Sequence, residues 1–133
     1  MFLIMLLEHI MPISWDKYWG IDKVPVYDSK GKCIKNTEDA EAERNLAIFQ
    51  IGNMALLTGS LNSSISNYDI ERKVHGAPGA RLKDTKGIKD YATLMTTRNV
   101  VEEYEKNNYW DERSIAKRSV EITEIVNSIW SIE

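Results

Sequence analysis

The apolar positions of the chain fall into a few separated runs, and their spacing predicts most of its elements. Residues 2–10 are nearly continuous apolar up to Glu8-His9 and read as a buried strand. Pro12 cannot donate to a ladder and holds Met11 extended, so regular pairing should end there. Residues 13–36 hold Gly20, Pro25, Asp28 and Gly31 without periodicity, an irregular connection with one helical turn at Trp15–Trp19. Thr37 then offers an N-cap, Glu38, Asp39, Glu41 and Glu43 suit the first turns of a helix, and Leu46, Ile48 and Phe49 give it an apolar side. That helix should stop near Gln50, because Gly52-Asn53 is a turn signal.

Residues 54–58 are short, apolar and bounded by Gly52 and Gly59, which predicts a second strand. Ser66-Asn67-Tyr68-Asp69 has the form of a capping box and opens a helix to about Val74, ended by Gly76, Pro78 and Gly79. Helix returns at 88–95, 98–106 and 112–130. Asp111 is the expected N-cap of the last, Trp110 and Ile115 its hydrophobic staple, and Ile115, Ile122, Val126 and Ile129 its core stripe. The expectation is an α+β fold: an antiparallel ribbon of residues 2–10 and 53–58, a helix packed on it, and a helical buttress behind. One domain covers 1–133, with its core at about 1–76 and a helical extension at about 85–131.

Composition changes this picture in two places. The single cysteine, Cys33, excludes an internal disulfide framework and a Cys-rich zinc site, and suits a reducing cytoplasm. The net charge of −3 and pI near 5.5 argue against a free-standing protein that grips nucleic acid by phosphate contacts alone, because such proteins are basic. They leave room for an enzyme whose bound divalent cation supplies local positive charge, or for a fragment whose partner domain does the gripping. The opening Met1–Leu7 run lacks a basic n-region and a cleavage site and is too short for a bilayer, so neither secretion nor membrane insertion is expected. A chain that starts inside its first strand reads as a piece of a longer one.

Candidate chemistry is concentrated at Glu8-His9. A carboxylate beside an imidazole provides a hard oxygen ligand for a divalent cation and a base that titrates near neutrality. Neighbours on a strand point to opposite faces, so both reach one centre only where the strand ends and twists. The other reading of His9 is a hydrogen-bonded core histidine. Asn53, Asn62 and Asn67 each fit loops pinned by side-chain amides. His75, at a helix end, fits a surface cap that complements the dipole better than a ligand. Trp15 and Trp19 have the spacing of core residues, though such a pair can also stack on bases.

Glu8-His-Ile-Met-Pro12 resembles the acid-His-Ile-x-Pro motif of His-Asn-His (HNH, ββα-metal) nucleases, with Asn53 and Asn62 at the second and third motif positions. The wider series adds Ile51-Gly-Asn-x-x-Leu-Leu, Asn62-Ser-Ser-x-Ser-Asn, Lys73, and Trp110-x4-Ile115-x2-Arg118 ending in Ile129-Trp130. It resembles the C-terminal nuclease domain of GmrSD-type, modification-dependent restriction endonucleases. The resemblance implies a ββα-metal core, with His9 as general base and Asn53 holding the loop and the histidine in register. It implies a catalytic Asn62 that, with Glu8, binds a divalent metal, Mg²⁺ or Mn²⁺. Lys73 and Arg118 match basic positions of the family, either as nucleic-acid contacts or as solvated or structural ion-pair charges. DNA is the implied substrate, and an N-terminal nucleotide-dependent domain or subunit the implied partner. The competing expectation is a catalytically silent module of the same fold that binds nucleic acid or protein.

Overall fold

Two five-residue strands, β1 (Met5–His9) and β2 (Met54–Thr58), pair antiparallel with Leu7 opposite Leu56, Glu8 opposite Ala55 and His9 opposite Met54. The computed structural model describes residues 5–58, 68–76, 87–88 and 95–130. Four α-helices lie within them: α1 (Thr37–Ile48), α2 (Ile70–His75), α3 (Met95–Asn107) and α4 (Glu112–Trp130). The protein is therefore α+β. No described helix is long and apolar enough to cross a membrane.

The alternation of the ribbon separates its faces. Glu8 and Ala55 point into the protein, whereas Leu7 and Leu56 are 58% and 43% exposed. The apolar run at the start therefore forms a strand with one open face, not one buried throughout. Past His9 the chain leaves the ladder, and Ile10 and Met11 turn fully into the core with Ile48, Val74, Val100, Trp110 and Ile115.

Several helix boundaries rest on other residues than the sequence suggested. Asn36, not Thr37, caps α1: its Oδ1 accepts the Asp39 amide at 3.0 Å. The buried positions of α1 are Ala40, Arg44, Ala47 and Ile48, while Leu46 and Phe49 are exposed. Asp69 caps α2 by accepting the Arg72 amide, and Ser66, the expected cap, lies outside the described residues. The helix expected at 88–95 also lies largely outside them. α4 begins and ends as expected: Asp111 accepts the Arg113 amide at 2.9 Å, and Trp110 and Ile115 are both buried. Of its predicted stripe Ile115 is buried and Ile122 half-buried, whereas Val126 and Ile129 are exposed. Among the described residues Gly52, Met54, Arg44, Tyr27 and Glu103 all meet the first eight residues of α4, through Glu112, Lys117, Arg118 and Ser119.

A short 3₁₀ turn, Ile51–Asn53, joins α1 to β2 against α4. A Cβ on Gly52 would sit 2.0 Å from the Ile115 carbonyl oxygen and 2.4 Å from Ser119 Oγ, so only glycine lets the two backbones approach. The irregular segment is held by a buried ion pair that its own sequence does not announce. Arg44 Nε meets Glu112 Oε1 at 2.7 Å, its guanidinium also donates to the Trp19 and Pro25 carbonyls, and Glu112 Oε2 accepts the Tyr27 amide. With its remaining hydrogen-bonding capacity so used, a pair that would be costly if left bare becomes a clamp.

Candidate functional site

His9 closes β1, and its backbone is fixed from two directions. Its carbonyl accepts Lys73 Nζ at 2.9 Å, and the next amide, Ile10 N, donates to the Asn53 carbonyl at 2.7 Å. The ring is half-buried, edge-on to Phe49 with centroids 5.6 Å apart. Its Nε2 is screened from solvent and has no hydrogen-bond partner among the described residues. An imidazole serving only as packing would ordinarily satisfy such an atom.

Asn53 is wholly buried and uses both ends of its amide. Oδ1 accepts the Met11 amide at 2.8 Å and Trp110 Nε1 at 3.3 Å, and Nδ2 donates to the Met11 and Ile48 carbonyls at 2.9 and 3.0 Å. One side chain thereby joins the segment after His9 to the end of α1 and to the entry of α4. Its position follows from the 3₁₀ turn, which Gly52 allows to press against α4.

Glu8 points away from the open face of the ribbon. Its Oε1 lies 3.2 Å from Lys73 Nζ, with both side chains almost wholly buried. Burial raises the Glu8 pKa against the opposing pull of Lys73, and burial draws the Lys73 ammonium down to about 8. Pairing continues through His9, so Glu8 and His9 stay on opposite faces; the twist that would turn both to one centre does not occur within β1.

Lys73 and Arg118 both point inward. Lys73 bonds Glu8 and the His9 carbonyl, while Arg118 Nη1 donates to the Gly52 and Met54 carbonyls at 2.9 and 2.6 Å. Desolvation by burial lowers the Arg118 pKa. These cations brace the two ends of the site, His9 on one side and the Gly52–Met54 turn on the other. Only the family resemblance pointed to them; it carried no sign that they would be buried. Asn62 lies outside the described residues, and His75 is exposed at the end of α2, its ring 6.1 Å from that of Tyr104.

Among the described residues no three His, Cys, Asp or Glu side chains gather as a metal centre. The donor types suit a hard divalent cation, a carboxylate on Glu8 and an imidazole whose Nε2 has no partner among the described residues. But the two side chains lie on opposite faces of β1, and the carboxylate is paired with Lys73. What the geometry brings together is the Glu8 carboxylate, Lys73, Asn53 and the backbone of His9, with Arg118 behind the turn. The family model described as GmrSD restriction endonucleases, C-terminal domain, matches residues 2–125. No curated protein and no solved structure matches the chain.

Proposed function

The chain belongs to the family of GmrSD restriction endonuclease C-terminal domains, and from that premise we propose that it is a metal-dependent HNH-type endonuclease hydrolysing DNA phosphodiester bonds. In this reading the ribbon and α2 form the ββα core. The observation that carries it is His9: an imidazole at a strand end, positioned through its own backbone by Lys73 and Asn53, with no hydrogen-bond partner for Nε2 among the described residues.

Hydrolysis needs a deprotonated water in line with the scissile bond. His9 takes up that proton at Nε2, a contribution of roughly 10²–10⁴ in rate for a positioned base. Asn53 does no chemistry; its four hydrogen bonds hold the Met11 peptide, and with it the histidine, in one register. Lys73 keeps the Glu8 carboxylate and the His9 carbonyl together, so the two neighbours move as one piece. Glu8 and Asn62 would hold the metal, which when bound supplies positive charge to the phosphate and the leaving oxygen. Mg²⁺ or Mn²⁺ suits such oxygen donors. In this reading DNA is the substrate, which the match to a restriction endonuclease family supports, and a nucleotide-dependent domain or subunit would supply target choice.

A second reading, a module that binds without cleaving, draws on the engagement of Glu8 by Lys73 and the screening of Nε2. Nicking of supercoiled plasmid with Mg²⁺ or Mn²⁺, run beside His9→Ala, separates the two. Metal-dependent nicking by the wild type alone is the expected result; no difference between the two proteins would sink the catalytic reading.

A further inference from the structure

Away from His9, a cavity of about 290 Å³ opens between the irregular segment, the start of α2 and the junction of α3 with α4. Trp19 and Trp110, each 1% exposed, lie at its back, and half-buried Tyr18, Tyr27 and Tyr109 line it nearer the surface. Cations already rest on these rings. The Arg113 guanidinium lies 3.7 Å from the centroid of Tyr27 and 4.0 Å from that of Tyr109, held by two hydrogen bonds to Asp111. Lys17 lies over Tyr18, and Arg72 lies 5.5 Å from both Tyr18 and Tyr68.

The chemistry of the walls narrows the ligand. Flat π-faces accept a flat, polarisable ring, and cations at the rim accept anionic charge attached to it. A metal ion is disfavoured, because the carboxylates of Asp69 and Asp111 are already paired with Arg72 and Arg113. A purely apolar chain would leave the rim cations without purpose. We propose that this cavity receives one unstacked nucleobase of the nucleic acid on which the chain acts, with Lys17, Lys23 and Arg72 near the flanking phosphates. The proposal rests on the nucleic-acid reading above and extends it to a second place on the surface.

Two further features fit. Trp110, at the back of the cavity, donates to Asn53 Oδ1, so the base site and the anchor of the His9 segment share a hydrogen bond. Lys17, Lys23, Arg72 and Arg113 are matched in number by Asp16, Asp22, Asp69 and Asp111, so stacking and not net charge holds the ligand. Binding should therefore depend only weakly on salt, in contrast to a surface that works by displacing counterions.

The test uses the full chain carrying His9→Ala, without divalent metal, and follows tryptophan fluorescence on titration with a mixed-sequence single-stranded DNA oligonucleotide, its duplex, and an abasic strand of equal length. Expected are tighter binding of the single strand than of the duplex or the abasic strand, and a roughly ten- to hundredfold loss with Tyr27→Ala or Tyr109→Ala. Abasic and parent strands binding equally well would overturn the proposal, and that comparison needs no variant of the cavity to fold. So would folded tyrosine variants that bind like their parent. If the wild type fails to nick plasmid while the base-dependent binding persists, the cleavage reading falls and this one stands; nicking with base-independent binding means the reverse.

Discussion

Asn53 holds the Met11 peptide from both sides, accepting its amide at 2.8 Å and donating to its carbonyl at 2.9 Å. Asn53→Asp keeps the shape and removes the donor, leaving the Met11 and Ile48 carbonyls facing a carboxylate in the core. The expected cost is roughly 2–5 kcal/mol, read as a lower urea midpoint. An unchanged midpoint would mean that the amide is not the anchor.

For His9 the expectation is the opposite. Its Nε2 makes no hydrogen bond among the described residues, so His9→Ala orphans no partner there and loses only half-buried packing against Phe49. Thermal unfolding should shift by a few degrees at most, while any nicking activity falls by roughly two to four orders of magnitude. A large drop in Tm with proportionate loss of activity would mark His9 as packing.

The buried pair of Glu8 and Lys73 gives a third expectation. Lys73→Met leaves the Glu8 carboxylate in a dry site without its cation and should cost roughly 3–5 kcal/mol. Adding Glu8→Gln should recover a good part of that, because the uncompensated charge is then gone. A double variant less stable than Lys73→Met alone would show that the pair does not govern the site's stability.

The ribbon and the long last helix were legible because they depend on local signals: the apolar runs at 2–10 and 54–58, Pro12, Gly52 and Asp111. That Asn53 and Lys73 lie near the backbone of His9 was legible only through the family resemblance. The directions of side chains were not. Lys73 and Arg118 read equally as nucleic-acid contacts, solvated charges or structural ion pairs, because nothing within a few residues shows that Glu8 and three backbone carbonyls wait for them across the fold. The clamp of Arg44 on Glu112 was missed for the same reason, the partners being 68 residues apart. The stripe on α4 was over-read: periodicity shows that a helix has an apolar face, not how far along it a partner extends.

Gly52 supplies a backbone test. Gly52→Ala drives a methyl into the Ile115 carbonyl and Ser119, so α4 must shift or the 3₁₀ turn must open. Destabilisation of more than about 2 kcal/mol is expected in chemical denaturation, far above the usual effect of the same change in open backbone. A variant as stable as wild type would show that the two backbones can part without cost.

Alkaline pH tests the packing of α3 on α2. The Tyr104 hydroxyl donates to Glu71 Oε2, and burial, with that carboxylate second, raises its pKa above the ordinary 10.0. The folded protein therefore keeps a proton that the unfolded chain releases, so this contribution is complete below pH 10 and is lost as pH rises beyond it. Wild type should lose stability between pH 9.5 and 11 more steeply than Tyr104→Phe, as followed by Tm. Parallel curves would refute the linkage.

Besides its bonds to Met11 and Ile48, the turn at residues 52–54 is held from the far end of the chain: Trp110 reaches Asn53, and Arg118 reaches the Gly52 and Met54 carbonyls. During synthesis, His9 and Asn53 leave the ribosome long before these partners exist. A nascent chain thus carries the reactive groups as a loose string and acquires an ordered site only when α4 arrives. If the chain cuts DNA as proposed, the order of translation is itself a safeguard. A chain stopped at residue 108 should accordingly show neither nicking nor a cooperative unfolding transition.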